Sequence, residues 1–286
     1  MGHYLTRNYP MANLEKGLRP DLRIAVAGLG AIGTRVVEAL DRGIDGLVLT
    51  AVSVQNLEKH RRRLANLRIT PAVLPIDALV DVADIVIECA PSKLVRSIVA
   101  PFVGNGKTAV VLSAGALLDH EDLIELAKQN GGQIVVPTGA LIGLDAVSAA
   151  AVGKIHSVRM VTRKPIRGLA GAPYIVDNNI DIARLTKPLK IFDGTAREAA
   201  KGFPANVNVA AALSLAGIGP DRTKVEIWAD PTLTRNTHQI DVESDSARFS
   251  MSIENIPSEN PKTGLITALS VIACLRKLRG SLRVGT

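Results

Sequence analysis

The stretch Arg23-Ile24-Ala25-Val26-Ala27-Gly28-Leu29-Gly30-Ala31-Ile32-Gly33 joins a β-prone run to Gly-x-Gly-x-x-Gly, and a helical pattern follows at once. The first glycine permits a tight turn after a strand and the second lets backbone approach a pyrophosphate. The third lets the helix pack close to the sheet with its free N–H groups toward the phosphates. Ile32, Val36, Val37 and Leu40 recur at helical spacing, while Thr34, Arg35, Glu38 and Asp41 take the other face. Glycine turns alone are common, but strand, turn and helix in this order predict a dinucleotide-binding unit with Gly28, Gly30, Ala31, Ile32 and Gly33 at the cofactor.

At 286 residues, 47% of them hydrophobic, the chain has apolar surface for two ordinary cores. No apolar run reaches the length of a membrane span, and residues 1–20 read as a flexible leader without the apolar core of a signal peptide. A cytoplasmic protein with no membrane partner is expected. Cys89 and Cys274 lie far apart inside apolar runs, with no Cys-x-x-Cys pair or histidine cluster, so buried thiols and no metal site are expected. The net charge of +7 is dispersed except at Lys59–Arg63 and Arg276–Arg279, and 3% aromatic content leaves few platforms for base stacking. An anionic substrate and cofactor account for the excess, and no nucleic-acid partner is expected.

From Asp21 onward strand and helix alternate. Leu47–Val54, Asp84–Cys89, Thr108–Leu112 and Gln133–Val136 read as further strands, with helices at Ser92–Phe102 and Asp119–Asn130, the second capped by Asp119. This rhythm predicts an α/β fold, a Rossmann-type doubly wound parallel sheet over residues 21–137. After Pro137 the character changes. Ile155–Thr162 reads as a strand, residues 165–190 are rich in Gly, Pro and Asn, and Pro204 opens an Ala-rich helix to Leu215. Lys224–Ala229, His238–Val242 and Arg248–Glu254 are β-prone runs separated by turns, predicting a smaller α+β substrate domain over residues 138–260 with a mostly antiparallel sheet. Asn260-Pro261 signals a helix start, and residues 261–286 are expected to form a helix packed back on the nucleotide domain.

In open α/β sheets ligands lie beyond the carboxyl ends of the strands. Three segments of small residues sit there: Cys89-Ala90-Pro91-Ser92, Ser113-Ala114-Gly115-Ala116 and Pro137-Thr138-Gly139-Ala140. They place Ala90, Pro91 and Ser113 against a nicotinamide ring and its ribose, although tight βα turns use the same residues. Among the five histidines, His238 follows Asn236 by two. On an extended segment residues two apart share a face, so an amide and an imidazole converge, either as a catalytic pair or as a satisfied structural one.

Gly28–Gly33, Pro137-Thr138-Gly139-Ala140-Leu141-Ile142-Gly143-Leu144-Asp145-Ala146, Thr162-Arg163-Lys164-Pro165, Phe203-Pro204-Ala205-Asn206-Val207-Asn208-Val209-Ala210, Asp230-Pro231 through Asn236-Thr237-His238, and Glu254-Asn255 through Asn260-Pro261-Lys262-Thr263 together resemble the L-aspartate dehydrogenase family. The resemblance covers roughly residues 22–279. It implies that His238 is the active-site histidine, aided by Asn236, and that Ala140 and Asn208 contact the cofactor. It implies a homodimer that oxidises L-aspartate to iminoaspartate, which becomes oxaloacetate and ammonia or feeds NAD biosynthesis. Two substrate carboxylates call for cations, and Lys164, Arg163 and Arg235 are the nearest by motif. The alternatives are a reductase of a cyclic imine or semialdehyde, and a non-catalytic dinucleotide sensor on the same fold. The chain departs from the family at Glu243-Ser244-Asp245-Ser246-Ala247, where glycines are usual. It departs again at Ser53-Val54-Gln55-Asn56, where an acidic residue would grip a ribose 2′-hydroxyl. Either NAD or NADP is therefore expected as cofactor.

Overall fold

The structure is a computed structural model that describes residues 20–204, 207–258 and 264–285. Residues 1–19 of the leader, Ala205-Asn206 and the Asn260-Pro261 helix signal lie outside the described residues. The elements of the first half are β1 (Leu22–Ala27), α1 (Ala31–Arg42), β2 (Leu47–Ser53), α2 (Leu57–Ala65), β3 (Ala72–Val73), α3 (Leu79–Val82), β4 (Ile85–Glu88), α4 (Val95–Gly104), β5 (Thr108–Val111), α5 (Ala114–Leu117), α6 (Asp122–Asn130) and β6 (Gln133–Val135). The second half runs through α7 (Leu144–Val152), β7 (Ile155–Lys164), α8 (Ile166–Leu169), α9 (Pro173–Asp177), β8 (Leu189–Thr195), α10 (Ala196–Gly202), α11 (Asn208–Ala216), β9 (Lys224–Ala229), β10 (Asn236–Ser244), β11 (Arg248–Asn255) and α12 (Leu265–Arg279).

The first sheet is parallel throughout, in the order β3-β2-β1-β4-β5-β6. Both faces are covered, so its strands are apolar on both sides. On β1, Ile24 and Val26 pack with Val36, Val37 and Leu40 of α1, and Val271 and Leu275 of α12 close the same layer. Ala25 and Ala27 face the opposite layer with Val95, Ile98, Val99 and Phe102 of α4. No described helix is long and apolar enough to cross a membrane.

The second sheet, β11-β10-β7-β9-β8, is mixed. Three of its four pairings are antiparallel, but β9 runs parallel to the central β7 and does not pair with β10. The runs over 224–254 therefore do not form one meander. Their inner residues, including Met160, Val225, Ile227, Ile240 and Val242, pack with α10 and α11 around Phe192 and Phe203.

Several local expectations shift. The segment from Ser92 begins as a short 3-10 turn at Ser92–Leu94 before α4. Asp119 does not cap α6, because its own N–H closes a turn onto Ala116 and the helix starts three residues later without a side-chain cap. Pro204 lies in a turn, and α11 begins at Asn208. The Gly/Pro-rich stretch 165–190 holds α8, α9 and the first residues of β8.

Candidate active site

The glycine turn is shaped by contacts that exclude side chains. Gly28 has φ +98, and a Cβ there would meet the Cys89 carbonyl oxygen at 2.5 Å. A Cβ on Gly33 would collide with the Gly28 carbonyl, so α1 packs close only with hydrogen at that position. Gly30 is different, since no described residue stands within 4 Å of a Cβ built on it. That space belongs to two confluent clefts. One, of about 1460 Å³, runs from Gly30 past Ser53, Gln55 and Asn56 to Lys59, His60 and Arg63. The other, of about 460 Å³, passes from Gly30, Ala31 and Ile32 over Ala90, Pro91 and Ser113 to the inner face of the second sheet. An elongated ligand with a pyrophosphate at Gly30 fits both, and this is where a dinucleotide would be held.

His238 stands on β10 opposite Thr162 of β7, and Thr162 Oγ1 lies 2.8 Å from His238 Nδ1. With Nδ1 engaged, Nε2 is the ring nitrogen left for a ligand. The ring is 2% exposed. Burial, followed by the charge of Lys164, pushes its pKa down to about 3, so the imidazole is neutral rather than poised near neutrality. Asn236 lines the same cavity, and its buried Oδ1 has no hydrogen-bond partner among the described residues.

The three candidate cations separate. Lys164 is 3% exposed and lines the cavity with His238, and burial lowers its pKa to about 8. Arg163, the adjacent residue of a pleated strand, points to the opposite face, with its guanidinium carbon 4.4 Å from the ring centre of Trp228. Arg235 precedes β10, is half exposed and lies 3.7 Å from Glu254. Neither arginine lines the cavity.

The remaining cofactor candidates also gather here. Asn208, first residue of α11, accepts from the Gly115 N–H through Oδ1 at 3.1 Å, which leaves its amide N–H groups for a ligand. The Ala140 carbonyl accepts from Asn255 Nδ2 at 2.8 Å, and the Gly139 N–H donates to Ser270 of α12 at 3.0 Å. The Ser113 hydroxyl is engaged, donating to Glu88 at 3.1 Å, and both residues line the cleft. Glu88 is absent from the residues picked out by motif, and Thr162 and Asn255 stand in the quoted motifs without an assigned role. For Glu88 a signal exists, because it is an acid ending the otherwise apolar strand Ile85-Val86-Ile87. Burial raises the Glu88 pKa above the usual carboxylate range, and donors from Ser113, Leu112 and Ala90 offset part of that rise. Among the described residues no cluster of three or more metal-binding side chains occurs.

Comparison with known proteins adds to this geometry. Residues 145–278 match the family described as aspartate dehydrogenase, C-terminal, and residues 28–137 match the homoserine dehydrogenase NAD-binding domain. The chain is 70% identical over 266 residues to an L-aspartate dehydrogenase of Bradyrhizobium diazoefficiens, covering 93% of this chain and 95% of that protein. It is 55% identical to L-aspartate dehydrogenase 3 of Bordetella bronchiseptica, over 94% of this chain and 99% of the relative. Among solved structures, aspartate dehydrogenase from Thermotoga maritima superposes with a TM-score of 0.69 at 25% identity, covering 92% of this chain and 99% of that one.

Proposed function

As this chain belongs to the L-aspartate dehydrogenase family, we propose that the cavity between its two sheets oxidises L-aspartate to iminoaspartate, which yields oxaloacetate and ammonia, or runs the reverse reductive amination. One observation carries the reading: His238, Asn236 and Lys164 share a single cavity with Gly30 and Ala31 of the glycine turn. A nicotinamide dinucleotide, when bound, supplies the hydride acceptor. The chain does the rest.

Lys164, buried and cationic below its pKa of about 8, receives a substrate carboxylate. Burial is the larger cause of the low His238 pKa and the charge of Lys164 the smaller; incoming carboxylates offset the second, so substrate binding raises the basicity of the imidazole. His238 then takes a proton at Nε2, from the ammonium before hydride leaves Cα or from the water that hydrolyses the imine. Thr162 fixes the ring by holding Nδ1. Asn236 Oδ1, which has no donor among the described residues, accepts from the substrate's amino group.

Cofactor choice turns on the end of β2. Asn56 Oδ1 is occupied as the cap of α2, accepting from the Lys59 N–H at 3.1 Å, so Gln55 is the free polar group there. Lys59, His60 and Arg63 line the same cleft, with Glu38 and Asp77 as its acids. With no carboxylate following β2 to repel a 2′-phosphate, NADP serves within about tenfold of NAD, a gap of roughly 1.4 kcal/mol. A cytoplasmic homodimer completes the proposal. The test is aspartate-dependent reduction of NAD+ and NADP+, and oxidation of both reduced forms by oxaloacetate with ammonia. Absence of turnover with aspartate and either cofactor overturns the function. A preference for NAD above about a hundredfold would mean that Glu38 or Asp77 reaches the ribose.

A further inference from the structure

Glu88 has no exposed surface. It ends β4 beside β1, where the strand order reverses, and it lines the cavity that holds His238 and Lys164. Among the donors that fix its carboxylate are the N–H groups of Leu112 at 3.1 Å and Ser113 at 2.9 Å on Oε2, and the Ser113 hydroxyl at 3.1 Å on Oε1. Backbone N–H groups only donate, so this set favours the ionised form and offsets part of the burial that raises the pKa. Yet no lysine, arginine or histidine among the described residues forms an ion pair with it. On another wall of the cavity Lys164 is also buried, and among the described residues no carboxylate forms an ion pair with it. Buried charges are ordinarily paired, because leaving one alone in a dry site is costly. Here two opposite charges line one cavity and do not pair with each other.

The ligands of the proposed reaction bring the missing partners. Substrate carboxylates answer Lys164. The cation that answers Glu88 is the oxidised nicotinamide ring, which carries a positive charge that the reduced ring lacks, and the carboxyl ends of β4 and β5 are where that ring lies in a doubly wound sheet. We infer that Glu88 is a cofactor-selecting residue, whose fixed buried carboxylate makes the cavity favour the oxidised over the reduced dinucleotide. The inference rests on the reading of this cavity as the nicotinamide site. Glu88 moves no proton and no electrons. It acts through charge alone, and the bracket it forms between β4 and the start of α5 keeps that charge from turning to water.

A purely structural bracket would affect both cofactor forms alike, so the ratio of their affinities is diagnostic. Dissociation constants of the full-length chain are measured for NADH by its fluorescence, and for NAD+ and ADP-ribose by competition against it. The wild type should bind NAD+ at least as tightly as NADH. Glu88→Gln should weaken NAD+ by about tenfold while NADH and ADP-ribose change less than about twofold. Equal weakening of all three ligands overturns the inference and leaves Glu88 as a bracket only. A wild-type preference for NADH above about tenfold overturns it without any variant, which keeps the test decisive if Glu88→Gln does not fold. A wild type that binds none of the three ligands removes the cofactor reading itself, and the inference with it.

Discussion

At the residue scale the site is governed by a buried ammonium and a buried neutral imidazole on neighbouring strands. Replacing His238 with Ala removes the group that exchanges protons but leaves the dinucleotide cleft intact, so turnover should fall by about 10²–10⁴ with cofactor dissociation constants almost unchanged. Loss of cofactor affinity with normal turnover at saturation would reverse the assignment. Lys164→Met makes two opposed predictions. The Michaelis constant for aspartate should rise by one to two orders of magnitude, since a hydrogen bond to a charged group is worth roughly 1.5–3 kcal/mol. Stability should increase, because lowering the Lys164 pKa from 10.5 to about 8 means that burial opposes the charged form by roughly 3 kcal/mol at most. The folded pKa is the lower one, so the unfolded chain binds more protons between about pH 8 and 10.5 and wild-type stability rises with pH across that window. Denaturant titrations of both proteins should therefore show a gap that is largest below pH 8 and closes toward pH 10.5. A gap that does not move with pH would show that the ammonium is not desolvated. The residue types were legible in the sequence, and the sides they face were legible only in part. Asn236 and His238 fall together by alternation. The same alternation, applied to Arg163 and Lys164, separates the arginine that stacks on Trp228 from the lysine in the cavity. The depth of burial that neutralises His238 depends on packing from distant segments, and no local pattern carries it.

At the element scale the decisive unit is β1, its glycine turn and α1. Gly28 and Gly33 are required by the turn and by close packing, whereas Gly30 faces open space that a dinucleotide's phosphates would occupy. Gly30→Val should accordingly fold, with a melting temperature within a few degrees of wild type, and fail to bind NADH in a fluorescence titration. Normal NADH binding by that variant would remove the phosphates from this turn. Strands β1, β2, β4 and β5 can be read from sequence because both faces of a parallel sheet are buried and the strands become continuous apolar runs. Elements of the second half are harder. In α7, Ala and Val spread over several faces blur the helical period, and α10 is a short run whose defining feature is the Thr195–Glu198 capping box. Strand β8 opens within a Gly/Pro-rich stretch, and its edge pairing with β9 is a long-range choice. The parallel placement of β9 beside β7 is likewise tertiary, fixed by the shared inner core and not by the turns that flank it.

At the scale of the whole molecule, chemistry depends on keeping the glycine turn of one sheet and the inner face of the other in register. Asn208 to Gly115, Asn255 to Ala140 and Ser270 to Gly139 span the junction near the cavity. Farther out Arg197, at the start of α10, is bidentate to Asp221 at 2.6 and 2.9 Å, and reaches the Leu118 carbonyl and Glu121 in the first half, each at 3.0 Å. Glu121 and Asp221 are largely exposed, so the cluster adds little to folding and its value lies in alignment. Arg197→Ala should therefore lower the melting temperature by no more than about 2–4 °C. Hydride transfer is more demanding, since a misplacement of about 1 Å costs up to about a hundredfold. The variant is expected to lose between about ten- and a hundredfold in kcat/KM for aspartate, while its NADH dissociation constant stays within about twofold, because the turn at Gly30 belongs wholly to the first half. Steady-state kinetics beside an NADH titration checks this. An unchanged kcat/KM would assign the alignment to the three bonds beside the cavity, and a parallel loss of NADH affinity would mean that Arg197 shapes the cofactor cleft and not the junction.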